Sequence, residues 1–328
     1  MALLEVSDLR KYFVVEKGIV RKNRNYVKAV DGVSFTLDKN QTLGIVGESG
    51  CGKTTLGKTV LRLLEPDSGV ITLNVNGRSI NVLDADEEEM RLVRKKMQMV
   101  FQDPQSSLNP RMPVKSIIGE PLKILKIAED PEEREGIVLN LLTDVGLGKE
   151  HMERYPHEFS SGQRQRIGIA RALAVGPDLI ILDEPTSSVD VSVQAQVLNL
   201  LKRLQETWNM AYLFISHDLG VVYHMSDRIA VMYLGKIVEV ADADRIFDNP
   251  LHPYTRALLS ALPFPDPEFR GKKKRILLEG TVPDPINPPP GCRFHTRCFE
   301  RKANRPCKRE EPGMREVEKK HLVACHNY

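Results

Sequence analysis

The sequence predicts an α/β fold with a parallel sheet, followed by a chemically different tail. Three observations predict it. Leu43-Gly-Ile-Val-Gly47 reads as a short buried strand entering a Gly-rich turn, and Lys53–Leu64 then puts Leu56, Val60, Leu61 and Leu64 on one helical face. Leu179-Ile-Ile-Leu182 is a second continuously apolar run, the pattern of a strand covered on both faces. The final 37 residues hold Cys292, Cys298, Cys307 and Cys325, and ten of the 21 prolines lie between Pro250 and Pro290.

The 328 residues carry 47 Lys and Arg against 44 Asp and Glu, a net charge of +3. Charge this balanced argues against a disordered polyelectrolyte and against a strongly basic nucleic-acid binder. No apolar run reaches the roughly 18 residues of a membrane span. The opening Met1-Ala-Leu-Leu-Glu-Val lacks a signal-peptide pattern, so the expected compartment is the cytosol.

The elements follow in order. Residues 3–9 and 33–37 alternate apolar and polar, as strands of an antiparallel edge do. Between them, roughly 15–27, Lys17, Arg21, Lys22 and Arg24 read as a solvated loop. From Gln102 to about Val175 the pattern is helical, an insertion between two sheet halves. Asp190 is placed as an N-cap, and behind it Val193, Val197, Leu200, Leu201, Leu204 and Trp208 repeat at helical spacing. Ala211–Ile215 and Arg228–Met232 are further strands. The Pro-rich segment 250–290 contains Lys272-Lys-Lys-Arg275, which reads as a solvated linker, with contact to acidic lipid headgroups as the alternative. No internal repeat is present.

Gly47-Glu48-Ser49-Gly50-Cys51-Gly52-Lys53-Thr54 matches G-x-x-x-x-G-K-[ST] and sits between a strand and a helix, the context that motif requires. Its glycines let backbone N–H groups crowd around phosphate oxygens. The helix that follows aims its positive end at the anion. Lys53 reaches the β and γ phosphates, the Thr54 hydroxyl ligates Mg²⁺, and Thr55 adds an α-phosphate contact. Cys51 reads as a small loop residue, not a catalytic thiol. The strand Leu179–Leu182 ends in Asp183 and Glu184, 130 residues after Lys53. A strand tip there delivers Asp183 to the metal shell, and Glu184 activates the attacking water.

Over residues 3–245 the chain resembles the ATP-binding cassette (ABC) superfamily. The resemblance implies a P-loop NTPase cassette: a RecA-like α/β core with an antiparallel β edge and a helical subdomain of about 103–175. Phe159-Ser160-Ser161-Gly162-Gln163 resembles the family signature, which implies that this helix end binds the γ phosphate of an ATP held by the opposite subunit. Ser161 stands where the family usually has glycine. Its side chain either crowds the phosphate or is simply a tolerated small residue. Gln102, in Phe101-Gln-Asp-Pro104, resembles the glutamine linking the Mg²⁺ and water site to the transmembrane partner. His217, in Ser216-His-Asp218, resembles the γ-phosphate switch histidine. Ser187-Ser-Val-Asp190 resembles the loop coupling the two sites of the dimer. Phe13 is favoured for stacking on adenine, with Tyr12 as the alternative.

The tail narrows the resemblance. Asn249-Pro-Leu-His-Pro-Tyr-Thr-Arg-Ala-Leu258 and Gly291-Cys-Arg-Phe-His-Thr-Arg-Cys298 resemble the C-terminal extension of dipeptide and oligopeptide importer ATPases, second subunit type. That implies an ATP- and Mg²⁺-dependent ATPase at the cytoplasmic face of the membrane. Its implied partners are a related ATPase in a heterodimer, two transmembrane permeases and an extracytoplasmic substrate-binding protein. Oligosaccharide or nickel import is the alternative cargo, and a regulatory or nucleic-acid ATPase is the different-class alternative. The expected division is a cassette over 1–248 and an extension over 249–328.

The tail cysteines have the spacing C-x5-C-x8-C-x17-C. A reducing cytosol disfavours disulfides. Zinc sites usually show closely spaced Cys pairs, and none occurs. A [4Fe–4S] cluster tolerates irregular spacing. Resemblance to the family's tail favours the cluster, with Zn²⁺ and free thiols left open. His295, His321 and His326 are substitute ligands or mere neighbours. With few apolar residues in 276–328, a metal would serve first as a staple.

Overall fold

A computed structural model describes residues 2–17, 23–262 and 275–328. The basic residues Arg21, Lys22, Lys272, Lys273 and Lys274 lie outside the described residues. The chain opens with two long strands, β1 (Leu4–Lys17) and β2 (Asn23–Leu37), which are sheet neighbours. The loop expected over 15–27 is thus strand at both ends. Arg24 does not prevent this at the β2 end, because β2 is the edge strand of its sheet and a charged side chain there protects against edge-to-edge pairing.

Strand β3 (Thr42–Val46) is buried throughout, and α1 (Lys53–Val60) follows. The helix expected to reach Leu64 stops at Val60. Arg62 takes a positive φ of 53°, and the N–H groups of Leu63 and Leu64 turn back to the Lys58 carbonyl at 2.9 and 3.3 Å. The sequence reading missed β4 (Ser68–Val75) and β5 (Arg78–Asn81), an antiparallel hairpin with Val75 opposite Arg78. Its Asn76-Gly77 turn has positive φ at both residues, the two-residue geometry that favours this dipeptide. Helix α2 (Glu87–Lys96) starts in a capping box of Asp86 and Glu89, with acids in its first turn and bases in its last. Strand β6 (Met97–Val100) follows.

The stretch expected to be helical holds α3 (Pro104–Ser107), α4 (Val114–Ile124), α5 (Pro131–Asp144) and α6 (Ser161–Leu173). Then come β7 (Leu179–Asp183), α7 (Val191–Trp208), β8 (Ala211–Ser216), α8 (Leu219–Met225) and β9 (Arg228–Tyr233). Asp190 is the N-cap of α7, as expected, although its side chain makes no capping bond. The chain ends with β10 (Lys236–Asp242), α9 (Ala243–Asp248), α10 (Pro253–Ser260), β11 (Arg315–Glu318) and β12 (His321–Val323).

These elements form two compact units. The first comprises Met1–Glu5, Thr36–Thr42 and Thr72–Phe214. In it β6 and β7 run parallel, with Met97 opposite Leu179 and Val100 opposite Leu182. All five residues of β7 are buried, the four apolar ones as their unbroken run requires and Asp183 with them at the strand end.

The second unit comprises Val6–Phe35, Leu43–Ile71 and Ile215–Tyr328. In it β3 pairs parallel with β9, β9 antiparallel with β10, and β10 antiparallel with β12. The Cys-rich tail therefore joins a sheet instead of building its own core. Phe294, 1% exposed, packs on Tyr233 and Tyr254 with ring centres 5.2 and 5.4 Å apart. His321 and Glu239, both fully buried, meet at 2.7 Å beside the β10–β12 pairing.

Candidate nucleotide site

The second unit carries the phosphate loop. Strand β3 delivers Gly47, where a Cβ would lie 2.1 Å from the Met232 carbonyl oxygen, so only glycine fits. Gly52 has φ +108°, and a Cβ there would lie 1.9 Å from the Ala29 carbonyl oxygen. Helix α1 begins at the next residue, so its unpaired N–H groups face the loop. Ser49 and Gly50 are exposed at the loop's crest, and Thr54 and Thr55 are half-buried in the first helical turn. Lys53 is 5% exposed, and its Nζ donates to the carbonyls of Gly47 at 2.8 Å and Glu48 at 3.1 Å. A buried ammonium in a Gly-rich loop ahead of a helix N-terminus suits an anion. Burial pushes the Cys51 thiol up, against the nearby Lys53 charge, which suits a packed loop residue and not a nucleophile.

Two aromatic candidates precede the loop. The Tyr12 hydroxyl donates to Asp31 Oδ1 at 2.5 Å, and burial together with that acceptor pushes its pKa up to about 12. Phe13 is 37% exposed, which leaves ring surface open for stacking. His217 is exposed just after β8, and Asp218 beside it caps α8 by accepting from the N–H groups of Gly220 and Val221 at 2.8 and 3.2 Å.

The first unit carries a second group. Asp183, 2% exposed, ends β7. Glu184 follows with φ +45°, a left-handed conformation unusual for a non-glycine residue. Its carbonyl accepts from the N–H and Oγ of Ser187 at 3.2 and 3.1 Å, closing the turn that leads to Asp190. Its carboxylate accepts from Gln102 Nε2 at 3.1 Å.

The Phe159–Gln163 segment opens α6 with a capping box. Gln163 N–H donates to Ser160 Oγ at 3.3 Å, and Ser160 N–H donates to Gln163 Oε1 at 3.0 Å. Both side chains are thereby committed to shaping a helix N-terminus. A Cβ on Gly162 would meet Val193 Cγ1 at 2.4 Å, so this glycine is required by packing. Ser161 is the first helical residue and is not among the positive-φ residues, so its place does not demand glycine.

The four tail cysteines are free thiols and line one small cavity of about 10 Å³. Burial, with neighbouring sulfurs contributing, pushes Cys292 up to about 12 and Cys298 up to about 11. The donor set suits a thiolate-held centre in kind. In position it does not: among the described residues no three His, Cys, Asp or Glu side chains are arranged to hold a metal ion. The expected [4Fe–4S] cluster or zinc therefore finds no support in this arrangement.

Sequence reasoning missed Arg297 and Tyr254, which both bond Glu48. They lie 249 and 206 residues away, and no local signal announces such a pair.

The loop, its strand and its helix define a P-loop nucleotide-binding protein. The family described as "ABC transporter" matches residues 30–187, and "Oligopeptide/dipeptide transporter, C-terminal region" matches 238–307. The oligopeptide transport ATP-binding protein AppF of Bacillus subtilis is 52% identical over 326 residues, covering 99% of this chain and 97% of its own. The dipeptide transport ATP-binding protein DppF of Escherichia coli is 48% identical over 323 residues, covering 98% and 93%. An ATP-binding cassette solved as a dimer in a post-hydrolysis state with ADP and Pi superposes with a TM-score of 0.63 at 26% identity, covering 73% of this chain and 98% of that one. The chain belongs to the family of ABC transporter ATP-binding proteins with an oligopeptide/dipeptide-type C-terminal region, and it is an ATPase of that family. Among the described residues no helix is long and apolar enough to cross a membrane.

Proposed function

We propose that this chain powers import of di- and oligopeptides as the peripheral ATPase subunit of a membrane transporter, at its cytoplasmic face. One observation carries the reading. The C-terminal region of peptide-transporter type and the phosphate loop belong to one compact unit, with Arg297 of the first bonded to Glu48 of the second. The proposed assembly pairs this chain with a related ATPase, docks both on two permeases, and receives cargo from an extracytoplasmic binding protein. The functional division is a cassette over 1–248, with its helical part at about 103–175, and an extension over 249–328.

The residue roles follow from chemistry. Gly47 to Thr55 hold the phosphates, with Lys53 and His217 on the γ phosphate. Phe13 stacks on adenine. Thr54, Asp183 and Gln102 would supply oxygen donors to Mg²⁺, which would neutralise phosphate charge. Glu184 accepts the proton of the attacking water as its oxygen bonds to the γ phosphorus. The bond from that phosphorus to the bridging oxygen breaks, leaving ADP and phosphate. Ser160–Gln163 present the capped start of α6 to the nucleotide of the partner subunit, and Ser187 and Asp190 lie on the loop that couples the two sites.

The cysteine cavity is proposed as the position of a thiolate-held centre with a structural role, around which the side chains would have to close, since as placed no three of them are arranged to hold an ion. Its support is that four free thiols share one cavity. Absorbance near 400 nm with matching iron and sulfide content identifies a cluster, and zinc content without that absorbance identifies zinc. A protein free of both overturns the assignment.

The transport reading is tested by reconstituting the ATPase pair and the permeases in vesicles with the binding protein. Peptide-loaded binding protein should stimulate phosphate release and peptide uptake. Stimulation by oligosaccharide or nickel instead would reassign the cargo. Salt-sensitive stimulation by DNA, with no response to the binding protein, would reject transport.

A further inference from the structure

Arg297 of the tail grips the second residue of the phosphate loop. Its Nη1 donates to Glu48 Oε2 at 2.9 Å and Oε1 at 3.3 Å, and its Nη2 donates to Oε1 at 3.2 Å. The Arg297 side chain is 9% exposed and that of Glu48 26%, so water screens the pair only in part. Tyr254 takes the same residue from another side, its hydroxyl accepting the Glu48 N–H at 2.9 Å. The Glu48 carbonyl accepts from Lys53 Nζ at 3.1 Å and from the Cys51 N–H at 3.2 Å. Carboxylate, amide and carbonyl of Glu48 are all engaged, the first two by the C-terminal region.

The grip is itself held firmly. Tyr254 is fully buried, and its ring centre lies 4.6 Å from that of Tyr233 with the two planes tilted by 59°. Two turns set Arg297 in place: His295 N–H donates to the Cys292 carbonyl and Arg297 N–H to the Phe294 carbonyl, each at 3.0 Å. Phe294 packs against the same two tyrosines.

Electrostatics give the contact a purpose. A carboxylate in a loop built for a polyphosphate repels its ligand, and the repulsion is large where water is scarce. A guanidinium fork cancels that charge and fixes the carboxylate in one plane, which an ammonium cannot do. A loop already held in one conformation also pays less ordering entropy when phosphate arrives. We propose that Arg297 is a positioning residue for nucleotide binding: by neutralising and orienting Glu48 it keeps the phosphate loop ready for ATP, so the C-terminal extension sets nucleotide affinity. The proposal rests on the reading of residues 47–55 as the nucleotide site.

The test is Mg-ATP affinity of the full chain by titration calorimetry, alongside thermal melting. Arg297→Ala should weaken binding about tenfold, the loss of one charge-assisted pair. Adding Glu48→Gln to Arg297→Ala should restore much of that loss, because the repelling charge is gone. Arg297→Lys, which keeps the charge and loses the fork, should fall about threefold short of the original chain. Arg297→Ala binding within twofold of the original chain overturns the proposal, as does a double variant no better than Arg297→Ala. Where Arg297→Ala fails to fold, Arg297→Lys decides: full affinity overturns the proposal, and reduced affinity at an unchanged melting temperature supports it. Lys53→Ala separates the two readings. If it binds ATP normally, the loop assignment fails, whereas lost binding there with normal binding in Arg297→Ala fails this proposal alone.

Discussion

Gln102 Nε2 donates to Glu184 Oε2 at 3.1 Å, joining two residues 82 positions apart. The bond orients the carboxylate that the proposed mechanism uses as base. Glu184→Gln should therefore keep ATP binding and lower hydrolysis by about 10²–10⁴-fold. Gln102→Ala removes this orienting bond together with the proposed Mg²⁺ donor and should cost at least about five- to tenfold. Phosphate release by the assembled transporter measures both, and near-normal hydrolysis by Glu184→Gln would remove Glu184 from the role.

The start of α6 sets a residue open to replacement beside one that packing constrains. Gly162→Ala drives a Cβ to within 2.4 Å of Val193 Cγ1 and should destabilise the fold by about 1–3 kcal/mol. Ser161→Gly relieves no strain and should lower stability by about 0.5 kcal/mol through the poorer helix propensity of glycine. Urea unfolding midpoints compare the two. A larger loss at Ser161 than at Gly162 would contradict the packing argument.

His252 makes the second unit sensitive to acid. Burial holds its pKa at about 4, partly opposed by Glu239, and its Nδ1 caps α10 by accepting the Tyr254 N–H at 3.1 Å. The unfolded ring titrates near 6.5, so between pH 4 and 6.5 the unfolded chain binds the extra proton. Stability from neutral His252 is complete above pH 6.5 and is lost as pH falls toward 4, by about 3 kcal/mol in all. His252→Asn keeps a capping acceptor and removes the titration. Its stability profile over this range should be flatter than that of the original chain, and parallel profiles would refute the assignment.

Glu239 gathers three donors in full burial: the N–H groups of Leu251 and His252 at 2.7 and 2.9 Å, and the His321 ring at 2.7 Å. Glu239→Ala strands all three and should cost about 3–5 kcal/mol. Limited proteolysis should then cut the tail around β12 before the rest of the unit. Unchanged proteolysis would mean that the tail is secured elsewhere.

The strands β3, β7, β8 and β9 were legible because their apolar runs report burial on both faces, a property each segment carries alone. The loop 47–54 was legible because its glycines answer local demands, visible in the close approaches at Gly47 and Gly52. The hairpin β4–β5 left a signal in Asn76-Gly77 that went unread. Strands β10, β11 and β12 left little, because β12 exists through its pairing with β10, as in Val323 opposite Glu239.

The phosphate loop and the acidic strand end are written in the sequence alone, since each is a pattern of neighbouring residues under local steric and electrostatic rules, and the cassette as a whole was legible through its resemblance to a known family. Tertiary structure alone decided that Arg297 and Tyr254 bind Glu48, that Gln102 meets Glu184, and that the cysteine tail is stapled through β10 and an aromatic cluster. The contacts of Glu48 and Glu184 span 82 to 249 residues. No local propensity encodes them, because their energy appears only when the chain brings the groups together and excludes water from them.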